Sequence, residues 1–158
     1  MSRLYSKKTM VLTIAPTQSC NFACTYCFEK WRQSGALSNR TEDAIINYIK
    51  HLKQEDGLES VNLTWYGGEP LLQYKRVISL ARRIDELGLK INENLLITNG
   101  YFFTPEVVEK LVEAKISEIQ ITLDGFRETH DIRRPLINGK GTFDTIIKNL
   151  DDYYNLSL

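Results

Sequence analysis

The chain of 158 residues contains few of the side chains that hold metals or form covalent crosslinks. It has three cysteines and two histidines. An odd number of cysteines cannot pair completely into disulfides, so a disulfide framework is excluded. The apolar run Met10–Ala15 is too short for a signal peptide and has no cleavage site. Cysteines that cannot all form disulfides, in a sequence without an export signal, predict a protein of the reducing cytoplasm.

Excess charge of one sign and long hydrophobic runs are also absent. Twenty Lys and Arg residues balance twenty Asp and Glu residues, so no nucleic acid partner is expected. No run of about 18 apolar residues occurs, which argues against a membrane span. The 42% hydrophobic content is ordinary for a globular protein, and the length is that of one domain.

The three cysteines all lie within eight residues, as Cys20, Cys24 and Cys27. Such a group on a loop can surround a single soft-metal centre. A zinc site needs four ligands, and only His51 and His130 could complete one, neither at a local spacing. An iron–sulfur cubane held by three cysteines would leave one iron open to a substrate or cofactor. The pattern favours the cluster, with a zinc site or buried thiols as the alternative.

Apolar, β-branched segments alternate with amphipathic segments four times along the chain. The predicted strands are Met10–Ala15, Ser60–Tyr66, Asn94–Thr98 and Glu118–Leu123. The predicted helices run from about Arg40 to Glu55, from Leu72 to Leu87, from Thr104 onwards, and from Thr142 to about Tyr153, with a loop before the last. Strands separated by helices pair in parallel, so the fold class is α/β, with β/α units forming a curved sheet or partial barrel.

The spacing of apolar residues predicts an inner face for each of the four helices, which for the second is Val77, Leu80, Ala81 and Ile84 and for the fourth is Phe143, Ile146, Ile147 and Leu150. For the first helix this face is Ile45, Tyr48, Ile49 and Leu52, and for the third it is Val108, Leu111 and Val112.

The unusual residues of the chain directly follow the predicted strands. The cysteines follow the first strand, and Gly67-Gly68-Glu69-Pro70 follows the second. Thr98-Asn99-Gly100 closes the third strand, and Asp124-Gly125 follows the fourth. The carboxyl ends of parallel strands share one edge, where α/β folds build their sites. The sequence therefore predicts one shared site, although each glycine-containing segment could also be an ordinary turn.

The cysteine spacing, with Tyr26 before the last cysteine, resembles the signature of the radical S-adenosylmethionine (radical SAM) enzymes. The resemblance implies that Cys20, Cys24 and Cys27 hold a [4Fe–4S] cluster whose open iron binds the amine and carboxylate of S-adenosylmethionine. It also implies that one electron from the cluster cleaves this cofactor to methionine and a 5′-deoxyadenosyl radical.

The later motifs resemble those of the peptide- and sulfatase-maturating branch of this family, which usually carries a C-terminal SPASM domain. Gly67 to Pro70 resembles the GGEP motif that receives the methionine amino group, and Thr122 replaces a serine of the branch. The segment 130–134 resembles its His-Asp-x-x-Arg, with Arg134 as the matching arginine. The cofactor-binding residues that the resemblance implies are Tyr26, Gly67, Gly68, Glu69, Pro70, Asn99, Thr122, Asp124 and Arg134.

Some residues near these motifs also have a plain interpretation. We interpret His130 as a capping or loop histidine rather than a catalytic one. Arg133 and Arg134 are either solvated or, for one of them, available to bind a carboxylate in a bidentate manner.

The resemblance implies a barrel of six strand–helix units, of which four are found, and no SPASM cysteines are present. Residues 1–158 are therefore expected to be the N-terminal part of a radical SAM core, unable to turn over a substrate alone. The implied function is modification of a peptide or protein, with flavodoxin or ferredoxin as electron donor. The alternatives are a non-catalytic metal- or peptide-binding α/β module and a radical SAM enzyme acting on a small molecule. The sequence names neither the substrate nor the residue that quenches a radical.

Overall fold

A single parallel sheet forms the centre of the protein in the computed structural model, which describes residues 8–29 and 34–156. The strands are β1 (Thr9–Ile14), β2 (Ser60–Trp65), β3 (Lys90–Thr98) and β4 (Glu118–Ile121). Each strand pairs in parallel with the next, so the order in the sheet is the order in the chain. The predicted α/β fold of parallel β/α units is confirmed.

Five α-helices and one short 3₁₀-helix connect and follow the strands in the described residues. They are α1 (Asn39–Glu55), the 3₁₀-helix (Pro70–Gln73), α2 (Tyr74–Asp85), α3 (Pro105–Glu113), α4 (Arg127–Arg133) and α5 (Phe143–Leu156). Ser38 caps α1, because its side chain accepts a hydrogen bond from the Thr41 backbone N–H. Pro105 occupies the first turn of α3, where its missing N–H costs nothing.

Alternate strand residues and the helices enclose one apolar core. Its fully buried members include Val61, Leu63, Trp65, Leu96, Ile49, Val77, Ile84 and Leu111. The Trp65 indole Nε1 donates a hydrogen bond of 2.8 Å to Asn94 Oδ1, and Asn94 Nδ2 donates one of 2.9 Å to the Lys115 carbonyl. These bonds satisfy the buried polar groups and tie β2, β3 and the end of α3 together.

The connection between β4 and α5 differs from the prediction of a loop, because it contains α4. This helix has seven residues, and His130 is its buried residue. A short helix that buries one side chain shows no apolar period in its sequence, so pattern analysis cannot detect it.

Two residues assigned to the inner faces of helices point to solvent instead. Tyr48 is 55% exposed and Val112 is 65% exposed, whereas Ile46 and Val107 are buried. The predicted Ile49, Val108 and Leu111 are buried as expected. In both helices adjacent apolar residues offered two similar faces, so one exposed residue was assigned to the inner face.

The parallel arrangement places the carboxyl ends of all four strands at the same edge of the sheet. The cysteine loop, the Gly67–Gly68 turn and the segments after β3 and β4 all begin there. Across the described ranges, no helix has both the length and the apolar character to cross a bilayer.

Candidate functional site

A cavity of about 170 Å³ lies at the carboxyl edge of the sheet. Its walls contain residues from the cysteine loop and from the segments that follow β2, β3 and β4. The sequence-predicted residues on these walls are Cys20, Cys24, Tyr26, Cys27, Gly67, Gly68, Glu69, Asn99, Thr122 and Arg134. Pro70 and Asp124 do not line the cavity: Pro70 begins the 3₁₀-helix and Asp124 supports Tyr26.

The three cysteines are half-buried on this loop, and none of them is in a disulfide. The Cys27 backbone N–H donates to the Cys24 carbonyl at 3.2 Å, which closes a tight turn between them. Burial raises the pKa of the Cys24 thiol; the positive charge of Arg134 opposes this effect, and the neighbouring cysteines reinforce it. Metal ligation would replace the thiol proton.

A group of three His, Cys, Asp or Glu side chains arranged around one metal ion is not found among residues 8–29 and 34–156. In a cubane cluster each cysteine binds a different iron, so its ligand sulfurs are further apart than those around a single zinc ion.

The glycine pair after β2 packs directly against the cysteine loop. A Cβ on Gly68 would lie 2.1 Å from the Ser19 carbonyl oxygen, and one on Gly67 would lie 2.6 Å from the Thr17 oxygen. Gly67 also has a φ of 132°, a conformation that favours glycine. The Gly68 N–H donates to the Thr17 carbonyl at 3.1 Å. The two glycines therefore allow the turn after β2 to approach the cysteine loop closely. They also line the cavity.

Glu69 is 1% exposed, and protein groups occupy both of its carboxylate oxygens. Oε1 accepts hydrogen bonds from the Leu71 N–H at 2.9 Å and from Thr98 Oγ1 at 2.6 Å, and Oε2 accepts one from the Asn99 N–H at 2.8 Å. Burial raises the pKa of this carboxyl, and the three hydrogen bonds act in the opposite direction. Glu69 thus joins the carboxyl ends of β2 and β3.

Tyr26 is fixed by charged residues that follow β4. Its hydroxyl donates to Asp124 Oδ1 at 3.0 Å and accepts from Arg134 Nη1 at 2.7 Å. Arg133 lies over the Tyr26 ring at 5.0 Å and donates from Nε to Asp124 Oδ2 at 2.8 Å. Burial raises the pKa of the Tyr26 hydroxyl, and its hydrogen bond to Asp124 adds to this. Burial would raise the pKa of Asp124, but the bonds from Tyr26 and Arg133 hold it below its ordinary value.

Arg134 is 9% exposed, so the solvated interpretation of this residue is wrong. Its side chain lines the cavity, and its buried Nε has no hydrogen-bond partner within the part of the chain that is described. A buried guanidinium N–H without a partner is costly, so it is available to an acceptor on a bound ligand.

The segment after α4 runs antiparallel to the cysteine loop and is hydrogen-bonded to it. The Ala23 N–H donates to the Pro135 carbonyl at 2.8 Å, the Thr25 N–H to the Arg133 carbonyl at 2.9 Å, and the Ile137 N–H to the Asn21 carbonyl at 3.1 Å. Phe22 and Leu136 form an isolated antiparallel bridge between the same two segments.

His130 supports this segment from inside the protein. It is fully buried in α4, so its assignment to a loop is wrong. The capping part of the interpretation agrees with the hydrogen bond that it accepts from the backbone after β4. Its Nδ1 accepts from the Asp124 N–H at 3.2 Å, and its Nε2 lies 3.0 Å from Thr142 Oγ1, which itself donates to the Arg134 carbonyl. These contacts require the neutral imidazole with its proton on Nε2.

Several residues that were not among the predicted metal- and cofactor-binding residues also line the cavity. They are Phe22, Phe28, Glu29, Tyr66, Ile97 and Thr98. Tyr66 and Thr98 directly precede the glycine pair and Asn99, so their position at strand ends was the available signal.

A sequence model of the Radical SAM superfamily matches residues 14–157. The chain belongs to this superfamily. It is 30% identical over 129 residues to an S-adenosylmethionine-dependent nucleotide dehydratase of Fibrobacter sp. (strain UWH6), a match that covers 80% of the chain and 37% of the relative. It is 31% identical over 142 residues to a serine-type anaerobic sulfatase-maturating enzyme of Klebsiella aerogenes, covering 84% of the chain and 34% of that enzyme.

Further relatives extend the similarity over nearly all of the chain. A GTP 3′,8-cyclase of Clostridium perfringens (strain 13 / Type A) is 30% identical over 153 residues, which is 96% of the chain and 45% of the cyclase. The solved structure of native anSMEcpe with bound AdoMet and Kp18Cys peptide has a TM-score of 0.76 and 26% identity, covering 95% of the chain and 41% of that protein. The chain thus spans less than half of the length of each of these relatives.

Enzymes of the radical SAM superfamily use a [4Fe–4S] cluster and S-adenosylmethionine, which agrees with the two cofactors expected from the sequence. The residues present fit both groups. Three cysteines supply the thiolates, and Arg134, which lines the same cavity, has a buried Nε without a partner among the described residues and so an unused donor.

Proposed function

We propose that Cys20, Cys24 and Cys27 hold one [4Fe–4S] cluster and that the adjoining cavity binds S-adenosylmethionine. The observation that carries this is that the three cysteines, the glycine pair and Arg134 line the same cavity. A cluster held by these three cysteines would, when bound and reduced by an external electron donor, supply the one-electron chemistry for reductive cleavage of S-adenosylmethionine.

The chain's own residues bind and orient the cofactor in this proposal. Arg134 donates to the cofactor carboxylate through its unpartnered N–H, while the carbonyls near Gly67 and Gly68 accept from the amine. Tyr26 lies against the adenine, and its hydroxyl is fixed by Asp124 and Arg134. The Thr122 hydroxyl contacts the ribose or carboxylate. Glu69 and Pro70 act indirectly by holding the turn after β2.

The substrate class that we propose is a peptide or protein. The similarity to the sulfatase-maturating enzyme and the fold shared with native anSMEcpe, which was solved with a peptide, support it. A nucleotide is the second candidate, because two of the relatives are a nucleotide dehydratase and a GTP cyclase. A flavodoxin or ferredoxin as electron donor stays a prediction, as does a cytoplasmic location.

The test of the cluster is anaerobic reconstitution of the parent chain and of Cys20→Ala, Cys24→Ala and Cys27→Ala. We expect about four irons and four sulfides per parent chain and loss of the reduced-cluster signal in each variant. A variant that keeps the full signal would remove its cysteine from the ligand set. One colourless zinc in the parent would instead support the non-catalytic module.

The test of the substrate class is the amount of 5′-deoxyadenosine formed in a single turnover with dithionite and S-adenosylmethionine, because repeated turnover is not expected of residues 1–158 alone. Parallel samples contain the Kp18Cys peptide, GTP or neither. Stimulation by the peptide supports the maturase proposal, and stimulation by GTP alone contradicts it.

A further inference from the structure

The sulfur of Cys20 accepts hydrogen bonds from two N–H donors of this chain. The Phe22 backbone N–H lies 3.4 Å from Cys20 Sγ, and the Asn99 side-chain Nδ2 lies 3.9 Å from the same atom. The first bond is local to the cysteine loop. The second comes from the end of β3, which is 79 residues away in the sequence.

The orientation of the Asn99 amide is fixed by its other contacts. Asn99 Oδ1 accepts a hydrogen bond of 3.0 Å from the Tyr101 N–H, so this end of the amide must be the oxygen. The Nδ2 end consequently faces the cysteine loop, where it also donates to Asn21 Oδ1 at 2.9 Å. Both amide hydrogens are therefore directed at the loop.

The backbone of Asn99 is held in place by Glu69. The buried Glu69 carboxylate accepts the Asn99 N–H at 2.8 Å and the neighbouring Thr98 hydroxyl at 2.6 Å. A continuous set of hydrogen bonds thus runs from the turn after β2, through the end of β3, to the sulfur of Cys20. Rigid support of this kind is what fixes an outer-shell donor relative to a metal ligand.

We propose that Asn99 is a positioning residue for the cluster, donating an N–H···S hydrogen bond to Cys20 that raises the cluster's reduction potential. Hydrogen bonds to ligand sulfurs withdraw negative charge, and so they stabilise the reduced state more than the oxidised state. This inference rests on the proposed ligation of a cluster by Cys20, Cys24 and Cys27. It gives Asn99 a role toward the cluster that is separate from any contact with S-adenosylmethionine.

The test is a redox titration of the reconstituted chain without S-adenosylmethionine, for the parent, Asn99→Leu and Asn99→Asp. Leucine has a similar size and no donor, whereas aspartate keeps the acceptor for the Tyr101 N–H and lacks the donor. We expect the reduction equilibrium to move about fivefold towards the oxidised cluster in Asn99→Leu, the fold-change that one neutral hydrogen bond is worth. In Asn99→Asp we expect a larger shift, because the carboxylate adds negative charge.

The matched control is Asn62→Leu, which makes the same chemical change within β2, where Asn62 bonds to Glu93 instead of the site. The reduction potential of the cluster in Asn62→Leu should equal that in the parent. Full iron content with unchanged potentials in both Asn99 variants overturns the inference alone. Weaker S-adenosylmethionine binding with an unchanged potential also overturns it, and assigns Asn99 to the cofactor pocket. A parent chain without a cluster overturns the proposed function and this inference together.

Discussion

The two ends of the cysteine loop are held to the protein by different kinds of contact. Near Cys20 the loop backbone lies directly on the glycine pair, so close that a Cβ on Gly68 would be 2.1 Å from a carbonyl oxygen. Near Cys27 the loop is held by the Tyr26 hydroxyl, which bonds to the side chains of Asp124 and Arg134. The first contact is a close, hydrogen-bonded approach of two backbones, and the second depends on charged side chains.

This difference predicts how each end responds to change. A contact between backbones tolerates no added side chain and does not depend on protonation. A partly buried network of charges tolerates small changes in shape but depends on every charged partner being present. Substitutions at the Cys20 end should therefore act by steric overlap, whereas substitutions at the Cys27 end should act by removing charges and hydrogen bonds.

The largest effect is expected from Gly68→Ala. The new methyl group would overlap the Ser19 backbone, which cannot move away without displacing Cys20. We expect the free energy of unfolding to fall by about 3 kcal/mol and iron binding to be lost, as measured by denaturant titration and iron analysis.

The matched control for this change is Gly35→Ala, because no described atom lies within 4 Å of a Cβ built there. It should keep the iron content and stability of the parent. Full iron content in Gly68→Ala would show that the Ser19 backbone can make room for the methyl group without displacing Cys20, which contradicts the prediction.

The next largest effect is expected from Arg134→Met. This change leaves the largely buried carboxylate of Asp124 and the Tyr26 hydroxyl without one of their partners. We expect a loss of about 2 kcal/mol in the free energy of unfolding, measured by urea titration.

Arg133→Met is the matched comparison, since its side chain is 53% exposed although it also pairs with Asp124. An exposed ion pair contributes less than about 1 kcal/mol. Equal losses in the two variants would contradict the view that burial makes Arg134 the main support of the Cys27 end.

The sequence was sufficient to predict the sheet, its parallel pairing and the shared edge. Strands such as Ser60–Trp65 are apolar, and amphipathic helices separate them, so topology rules leave few arrangements. The first half of β3 was missed, because Lys90 and the residues after it are mostly polar in sequence.

Most of the residues predicted for the site line one cavity, and their roles as ligands stay a prediction, but the sequence did not predict their hydrogen-bond partners. The carboxylate of Glu69 accepts from residues about thirty positions away, and Arg134 reaches Tyr26 across 108 positions. Such pairings follow from three-dimensional packing and leave no local pattern. The assignment of residues 1–158 to the N-terminal part of a core stays a prediction.

A smaller and pH-dependent effect is expected from His130, which supports the Cys27 end. Burial lowers the pKa of His130, with the charge of Arg134 adding to this effect. As the pH falls below about 6.5, the unfolded chain binds a proton more readily than the folded one, so stability decreases. For one proton, the free energy of unfolding can change by at most about 1.4 kcal/mol per pH unit.

The measurement is urea titration between pH 7 and pH 5 for the parent and for His130→Gln. The dependence of the free energy of unfolding on pH should be weaker in the variant than in the parent. The same dependence in His130→Gln as in the parent would show that other groups cause it.

The smallest effect is expected from Thr122, which lines the cavity just beyond β4 and belongs to neither end of the loop. Because Thr122→Val keeps the shape of the side chain and removes only the hydroxyl, the loop should stay anchored at both ends. We expect the Kd of S-adenosylmethionine to rise about fivefold, the value of one lost hydrogen bond. Thr122→Ser restores a hydroxyl and should bind like the parent. Calorimetry checks the affinity, and iron analysis checks the loop. Equal affinity of the Thr122→Val and Thr122→Ser variants for the cofactor would show that the hydroxyl does not contact it. Loss of iron in Thr122→Val would show that Thr122 also helps to hold the cysteine loop, which contradicts its assignment to the cavity wall alone.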